Sequence, residues 1–279
     1  MQRSIQSIVL INTESYASGA AIHRFIHQHP DRLSLVIVSH PHREAPFLQQ
    51  FKRHFQRSGL RFVYFLFLNF SLYAAMTRIA AFLPRSNQRR LVPLRRLCAG
   101  FGIEYLEVRN INSPEVVDRV RAAAPDVIVV HYFDKILHEQ IISIPTIGVL
   151  NVHTALLPRY RGLFPELWAL SHGEREIGVT IHMILDRGID SGPILAQEPL
   201  LIQPEHSVLG ISHVANLVGA SLTSTVLDEL ENDRPHASPQ GDGSYYSFPL
   251  RGDLSRLRHH SRKVGTLREV VAAVFSPHA

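Results

Sequence analysis

Short apolar runs alternate with amphipathic stretches along the first half of the chain, in the order typical of a parallel sheet covered by helices. Strands are predicted at residues 8–11, 33–38 and 104–108. Helices are predicted at residues 20–27 and 114–123, the second with Ser113 as its N-cap. The pattern therefore predicts an α/β fold with a mostly parallel, Rossmann-like sheet flanked by helices.

The apolar run Val127-Ile128-Val129-Val130 has no polar position, as in a strand that is covered on both faces and lies centrally in its sheet. A further strand is predicted at residues 146–150. In open parallel sheets, ligands bind beyond the carboxyl ends of the strands. Residues 131–137 and 151–153 follow two of these ends, so we expect both segments at one cleft.

Residues 60–83 form an unusual hydrophobic insertion, because the stretch 62–77 contains no charged side chain. These sixteen residues are short of the roughly twenty that a membrane-spanning helix needs. We expect either a buried helix or homodimer contact, or an exposed apolar element that touches a membrane or a lipid-like acceptor. In the second case, Arg85, Arg89 and Arg90 would face lipid headgroups. The sequence does not choose between the two.

The C-terminal part begins with a predicted amphipathic helix at residues 207–230 that packs back on the sheet. The polar stretch 231–243 contains proline and glycine, as linkers do. We therefore divide the chain into a main domain at 1–232, with an apolar and basic insertion at 60–96, and a short basic extension at 233–279. The extension is predicted to be a solvated or partly disordered tail, with a clamp on a phosphorylated acceptor as the alternative.

Composition limits the class of protein. With 279 residues, of which 45% are hydrophobic, the chain can bury a substantial core. The single cysteine, Cys98, excludes an internal disulfide framework, and the N-terminus lacks the layout of a signal peptide, so we expect a cytoplasmic protein. The net charge of +5 favours anionic partners.

Several kinds of site are disfavoured by their missing motifs. The 17 histidines show no pairing typical of a zinc site, so no catalytic metal is expected. No Gly-x-Gly-x-x-Gly follows the first strand, which disfavours a nicotinamide or flavin cofactor. No Gly-x-Ser-x-Gly is present, which disfavours a common serine hydrolase.

Three polar residues of complementary type suggest the chemistry of the cleft. Alternation along a strand places Asn151 and His153 on the same face. Asp190, on a later loop, could accept a hydrogen bond from the imidazole and fix its tautomer and charge. Asn151 could then donate to an oxygen that becomes negative, which is an arrangement for acyl transfer.

The segments around these residues resemble the folate-dependent formyltransferases, a family that includes glycinamide ribonucleotide, methionyl-tRNA and sugar-nucleotide formyltransferases. The resemblance lies in Asn-Val-His-Thr-Ala-Leu-Leu-Pro-Arg-Tyr-Arg-Gly at 151–162, Gly-Val-Thr-Ile-His at 178–182 and Gly-Ile-Asp-Ser-Gly at 188–192. It is dense over about residues 120–205. It implies the formyltransferase fold, 10-formyltetrahydrofolate as donor, and Asp190 orienting His153 and helping to relay the proton.

The resemblance also implies binding residues. Two loops, 133–137 and 185–189, match the pterin pocket of the family. The residues assigned to the folate are Phe133, Lys135, Ile136, Leu137, Leu185, Asp186 and Gly188. The residues assigned to the acceptor are Arg159, Arg161 and Gly162. One departure concerns the acceptor: relatives commonly have Ser before Leu-Leu-Pro, whereas this chain has Thr154-Ala155.

The leading hypothesis is an N-formyltransferase that uses 10-formyltetrahydrofolate to formylate a primary amine of a small molecule, such as an amino sugar or another envelope or natural-product precursor. Methionyl-tRNA formyltransferases carry a C-terminal barrel for tRNA. Residues 244–279 are too few for a five-stranded barrel, so no tRNA or other nucleic-acid partner is expected. The alternatives are a formyltetrahydrofolate hydrolase and a non-catalytic scaffold that binds folate or docks on a membrane.

Overall fold

The computed structural model describes residues 5–39, 47–83, 90–232 and 237–276. The strands in these ranges are β1 (Ile8–Asn12), β2 (Leu33–Ser39), β3 (Glu104–Val108), β4 (Val127–His131), β5 (Gly148–His153), β6 (Arg161–Gly162), β7 (Glu176–Ile184), β8 (Ile194–Leu201) and β9 (Tyr245–Tyr246). The main sheet has the order β3-β2-β1-β4-β5-β7-β8, and β6 pairs with β9. The first five strands in that order are parallel to one another. Strand β7 runs antiparallel to β5, and β8 runs antiparallel to β7.

The helices in the described ranges are α1 (Tyr16–Gln28), α2 (Phe47–Ser58), α3 (Leu60–Leu66), α4 (Tyr73–Phe82), α5 (Leu94–Phe101), α6 (Pro114–Ala122), α7 (Glu139–Ile142), α8 (Pro165–Ser171), α9 (Val208–Glu231), α10 (Arg251–His259) and α11 (Leu267–Phe275). A π-helical segment, Phe67–Leu72, joins α3 to α4 without a break. The predicted α/β fold with a hydrophobic helical insertion is confirmed.

Strand β4 is central, as its unbroken apolar run predicts. Val127 and Val129 belong to the hydrophobic cluster beneath α1, α5 and α9, whereas Ile128 and Val130 belong to the cluster beneath α6 and α7. Successive side chains of a strand point to opposite faces, so both faces of β4 need apolar residues. The order β1-β4-β5 then brings the carboxyl ends of three parallel strands together at one edge.

Helix ends follow local capping signals, with two differences from prediction. Helix α1 begins at Tyr16, four residues before its predicted start, because the Ser15 hydroxyl caps it by accepting from the Ser18 amide. Ser207 caps α9 in the same way, by accepting from the Gly210 amide. Ser113 occupies the N-cap position of α6, but its side chain makes no capping hydrogen bond.

The hydrophobic insertion forms one continuous helical element, Leu60–Phe82, which has the length and composition to cross a membrane. Among the described residues, it is the one helix with that length and composition. One face of it is buried through Phe62, Phe65, Leu68 and Tyr73. The other face leaves large side chains exposed, so the element shows features of both sequence alternatives. Arg85 and Arg89 of the predicted basic flank lie outside the described residues.

The C-terminal extension packs on the main domain instead of forming the predicted solvated tail. Strand β9 pairs with β6, α10 contacts α8 and α2, and α11 contacts α4 and the π-helical segment. The ring of Tyr246 packs against that of Trp168 at a tilt of 33°, with ring centroids 4.8 Å apart, and this contact joins the extension to α8. The boundary at residue 232 stays a prediction, and residues 233–236 and 277–279 lie outside the described ranges.

Candidate active site

A cavity of about 1300 Å³ opens at the carboxyl ends of β4 and β5. Asn151, His153 and Asp190 line it together, so the three residues predicted to act on the substrate converge on one space. Both loops predicted to hold the pterin line the same space, and so do parts of α2, α3 and the π-helical segment.

Asn151 and His153 reach the cavity because β5 extends three residues beyond its predicted end at residue 150. Strand β7 runs antiparallel to β5, with Asn151 directly opposite His182 and His153 opposite Thr180. Side chains at positions i and i+2 of a strand share a face, so the carboxamide and the imidazole lie side by side.

The carboxamide of Asn151 is held in one orientation. Its Nδ2 donates to Nε2 of His182 at 3.0 Å and to Oδ1 of Asp190 at 3.1 Å. An ionised carboxylate only accepts hydrogen bonds, so the amide nitrogen must face Asp190. Nδ1 of His182 lies 2.9 Å from the carbonyl oxygen of Met183, to which it donates, and this leaves Nε2 as an acceptor. His182 therefore helps to position the amide.

His153 lies between a carbonyl and a carboxylate. Its Nε2 donates to the backbone oxygen of Tyr160 at 2.9 Å. Its Nδ1 is 3.5 Å from Oδ2 of Asp190. The carbonyl holds the plane of the ring, and the second nitrogen faces the carboxylate at the cavity wall. This pair can hold a proton at Nδ1 and move it to a group that binds between them.

The side chain of Asp190 is 12% exposed and is kept ionised. Burial alone would raise the pKa of its carboxyl, but the positive field of His153, contacts with His182 and the Gly162 amide outweigh that effect and lower the pKa to about 2. The Gly162 amide donates to Oδ2 at 2.8 Å. Asp190 adopts φ +48°, a left-handed conformation that Asp tolerates better than most residues. The tight loop thus aims a charged carboxylate at the imidazole.

Glu166 places a second carboxyl on the cavity wall, beside Thr154. It is 3% exposed and accepts a hydrogen bond of 3.0 Å from the Ser212 hydroxyl. Burial raises the pKa of Glu166, and a hydrogen bond from Thr154 opposes the shift. The hydroxyl of Thr154 is therefore used by Glu166. At the next residue, the carbonyl of Ala155 accepts from the Thr180 hydroxyl at 2.6 Å.

Most residues assigned to the folate lie at the cavity. Those that line it are Phe133, Lys135, Ile136, Leu137, Asp186 and Gly188. Leu185 is not among the lining residues and is 56% exposed. The Gly188 amide donates to Oδ1 of Asp186 at 2.7 Å, which stabilises the turn of the second loop. Their role in folate binding stays a prediction.

The three residues assigned to the acceptor do not all lie at the cavity. Gly162 lines the cavity, but Arg159 and Arg161 do not. Arg159 pairs with Glu174. Arg161 donates to Oε1 of Gln240 at 2.8 Å. Both guanidinium groups thus have partners away from the cavity, and their contact with an acceptor stays a prediction.

Several cavity residues were not predicted. His182 lies within a segment that carries the resemblance and Glu166 lies between two of them, but only strand register and packing bring them to the site. The C-terminal extension contributes Tyr245 and Phe248. Among the described residues, no group of three or more His, Cys, Asp or Glu side chains could hold a metal ion, and the lack of a metal stays a prediction.

Comparison with known proteins identifies relatives of this site. The family model described as formyl transferase matches residues 74–224. Methionyl-tRNA formyltransferase of Trichlorobacter lovleyi is 37% identical over 166 residues, which cover 60% of this chain and 52% of that protein. The protein of the same description from Geotalea uraniireducens is 33% identical over 187 residues, which cover 67% and 59%. The chain thus matches between half and three-fifths of the length of these relatives.

Solved structures show the same fold at low identity. The sugar 3N-formyl transferase WlaRD, solved with dTDP and 5-N-formyl-THF, has a TM-score of 0.56 at 16% identity and covers 88% of this chain and 70% of its own. The N-formyltransferase of Helicobacter canadensis, in complex with folinic acid and dTDP-3-aminofucose, has a TM-score of 0.55 at 18% identity, with coverage of 90% and 72%. Glycinamide ribonucleotide transformylase 1 of Symbiobacterium toebii has a TM-score of 0.55 at 16% identity, with coverage of 85% and 95%.

Proposed function

The chain belongs to the formyl transferase family, and from that premise we propose that it moves the formyl group of 10-formyltetrahydrofolate to a primary amine of a small molecule. The convergence of Asn151, His153 and Asp190 on one cavity carries this proposal. A neighbour of the same fold lends support, because that N-formyltransferase was solved in complex with folinic acid and an amino-sugar nucleotide, dTDP-3-aminofucose.

The reaction needs one bond to form and one to break. A bond forms between the acceptor nitrogen and the formyl carbon, and the bond from that carbon to the donor nitrogen breaks. One proton must pass from the acceptor amine to the donor nitrogen. His153 and Asp190 stand where they can take and return that proton, since Nδ1 and Oδ2 face each other at 3.5 Å.

The donor of a hydrogen bond to the developing oxyanion is Asn151. Its two amide hydrogens are directed at His182 and Asp190, so one of them must turn to the formyl oxygen when substrate binds. This exchange suits catalysis, because the amide is already held at the cavity wall and little reorganisation is needed. Asp190 keeps its hydrogen bond from Gly162 throughout.

The cavity has the features that a folate co-substrate requires. Val130, Leu137 and Ile184 provide apolar surface, and the two loops at 133–137 and 186–189 bring backbone groups to the same wall. The C-terminal residues Tyr245 and Phe248 also line the cavity, and we take this added wall to favour an acceptor that fits inside the cleft over a macromolecule.

The test is an assay with 10-formyltetrahydrofolate and a panel of small primary amines, including amino sugars. Tetrahydrofolate release and formylated product are measured together, by absorbance and by mass spectrometry. Amine-dependent turnover that is lost in Asn151→Ala supports the proposal. Equal donor consumption with and without amine would identify a hydrolase instead, and normal turnover of Asn151→Ala would contradict the assigned roles.

A further inference from the structure

The cavity has two chemically different walls. One wall consists of the loops assigned to the folate. The other, which we call the insertion wall, comes from α2, α3 and the π-helical segment and presents Phe51, Leu60, Val63, Tyr64, Phe67 and Phe70. Leu60 is 65% exposed and Phe67 is 44% exposed, so these side chains offer free apolar surface to the cavity.

Among the residues that the structure describes, the positively charged side chains at the cavity lie on the folate side. The arginine and lysine residues among the described lining residues are Arg109, Lys135 and Arg187. Lys135 donates to the carbonyl of Arg109, and Arg187 contacts His138, so all three belong to the folate side. The described part of the insertion wall also contributes His54, whose ring packs against Phe62 and Phe248. Among these described residues, a phosphorylated acceptor would find no guanidinium or ammonium partner on that wall.

The start of α1 is a second place where an anion could bind, but two of its backbone amides already have hydrogen-bond partners. The start of α1 lies beside the cavity, and a helix N-terminus is a common phosphate site. Here the Ala17 amide donates to Oδ1 of Asn69 at 3.0 Å, and the Ser18 amide donates to Ser15. The apolar insertion itself supplies Asn69, so the segment that builds the apolar wall also blocks the anion site.

The size of the cavity leaves room for an acceptor beside the folate. Ligand sites commonly measure ~300–1,000 Å³. The cavity of about 1300 Å³ is therefore larger than a single small ligand needs, and the insertion wall is continuous with the space around Asn151 and His153.

We infer that the acceptor is an amphiphilic amine whose hydrocarbon chain lies along the insertion wall while its amino group faces Asn151 and His153. The inference rests on the proposed function and names the substrate class of the same site. Burial of a methylene group strengthens binding by up to about fourfold, so an acceptor with a long chain binds far better than its short homologue.

The experiment compares two acceptors that differ in chain length alone: the ethyl and decyl glycosides of 4-amino-4-deoxyglucose, both below the micelle concentration. We expect the Michaelis constant for the decyl compound to be lower by a factor of about 30 or more, with similar kcat. Leu60→Gln and Phe67→Gln should remove most of this preference, and the Michaelis constant for the folate donor should not change. Both sites are exposed enough to accept glutamine without loss of fold.

Ile79→Gln is the matched control. Ile79 is 48% exposed on α4 of the same helical element but does not line the cavity, so the substitution should leave the chain-length preference intact. Calorimetry with the N-acetylated decyl glycoside, which cannot be formylated, measures chain binding without turnover. Binding that weakens at least tenfold in Phe67→Gln supports the inference even if the enzyme formylates neither glycoside.

Two results would overturn it. The first is formylation of the ethyl and decyl compounds with equal Michaelis constants, which would leave the proposed function standing and remove the apolar subsite. The second is a failure of the acetylated decyl glycoside to bind, together with sedimentation on phosphatidylcholine vesicles that Phe67→Gln and Ile79→Gln both weaken. That result would make the apolar surface a membrane contact. A lack of any folate turnover would count against the proposed function alone.

Discussion

Asn69, in the middle of the apolar helical element, donates a hydrogen bond of 2.8 Å from its carboxamide to the hydroxyl of Tyr132. Its oxygen accepts from the Ala17 amide, and the side chain is fully buried. Tyr132 directly follows β4 and has φ +53°. One amide thus ties the insertion to the central strand and to the start of α1, at a π-helical segment of the kind often found at functional sites.

Replacement of Asn69 by leucine should destabilise the protein. It leaves the Ala17 amide without its partner and removes one hydrogen bond of the Tyr132 hydroxyl, and an unsatisfied buried group costs ~1–3 kcal/mol. We expect the free energy of unfolding to fall by about 2–4 kcal/mol in urea titrations. Ser71→Ala, at an exposed position of the same segment, should change it by less than ~0.5 kcal/mol. An unchanged midpoint in Asn69→Leu would show that the tie is dispensable.

Asn151→Ala should lower kcat by about a hundredfold to a thousandfold, the usual cost of one lost oxyanion donor. The carboxamide is the group that faces both Asp190 and the cavity, and its loss leaves β5 paired with β7. Steady-state kinetics checks the activity, and thermal unfolding checks that the fold is kept. A kcat within about threefold of wild type would exclude an oxyanion role.

Asp190→Asn should remove a pH-dependent part of the stability. The folded carboxyl has its pKa lowered from 3.8 to about 2, so its contribution is present above pH 4 and is lost as the pH falls toward 2. The shift corresponds to roughly 2 kcal/mol. Denaturant unfolding at pH 5 and pH 2.5 measures the difference in free energy of unfolding between wild type and variant. This difference should be smaller at the lower pH. A difference that does not vary with pH would contradict the assigned cause.

Glu166→Gln should have the opposite pH signature. Burial raises the pKa of Glu166 above its ordinary value of 4.5, so the carboxyl stays protonated to a higher pH in the folded state than in the unfolded chain. Wild-type stability should therefore decline as the pH rises above 4.5, and the neutral amide should weaken that decline. Melting temperatures between pH 5 and pH 8.5 test this, with Glu198→Gln on the exposed part of β8 as control. Parallel curves for Glu166→Gln and wild type would refute it.

Gly162→Ala should disturb both the pairing of β6 with β9 and the candidate active site. Gly162 has φ +99°, and a Cβ there would lie 2.1 Å from the backbone oxygen of Tyr246. The loop must move, which would weaken the pairing of β6 with β9 and the hydrogen bond to Asp190. We expect a lower melting temperature and a loss of turnover. Gly100→Ala, where a Cβ meets nothing within 4 Å, is the control and should keep both.

The predicted sheet agrees with the structure because its signals are local. The run from Val127 to Val130 is apolar at every position, and this can be read without knowledge of any partner. The shared face of Asn151 and His153 follows from alternation along one strand. Asp190 was connected to them by the spacing of a recognised motif and not by periodicity. These predictions needed no long-range contact.

The positions of His182, Glu166 and the insertion wall depend on contacts between distant segments. His182 reaches Asn151 through the register of β7 against β5, and no local pattern specifies register across a loop. The C-terminal extension was predicted to be a solvated or partly disordered tail, yet Tyr246 packs against Trp168, which is far away in the sequence.

By itself, the sequence determined the α/β sheet, the central place of β4 and the pairing of a carboxamide with an imidazole on one face, since these follow from the period of a strand. The tertiary structure alone decided that Glu166 and His182 reach the same cavity from other segments, and that an apolar helical element with a buried Asn69 lines it. The reason is physical: periodicity records which face of an element is buried, whereas packing selects what is buried against it.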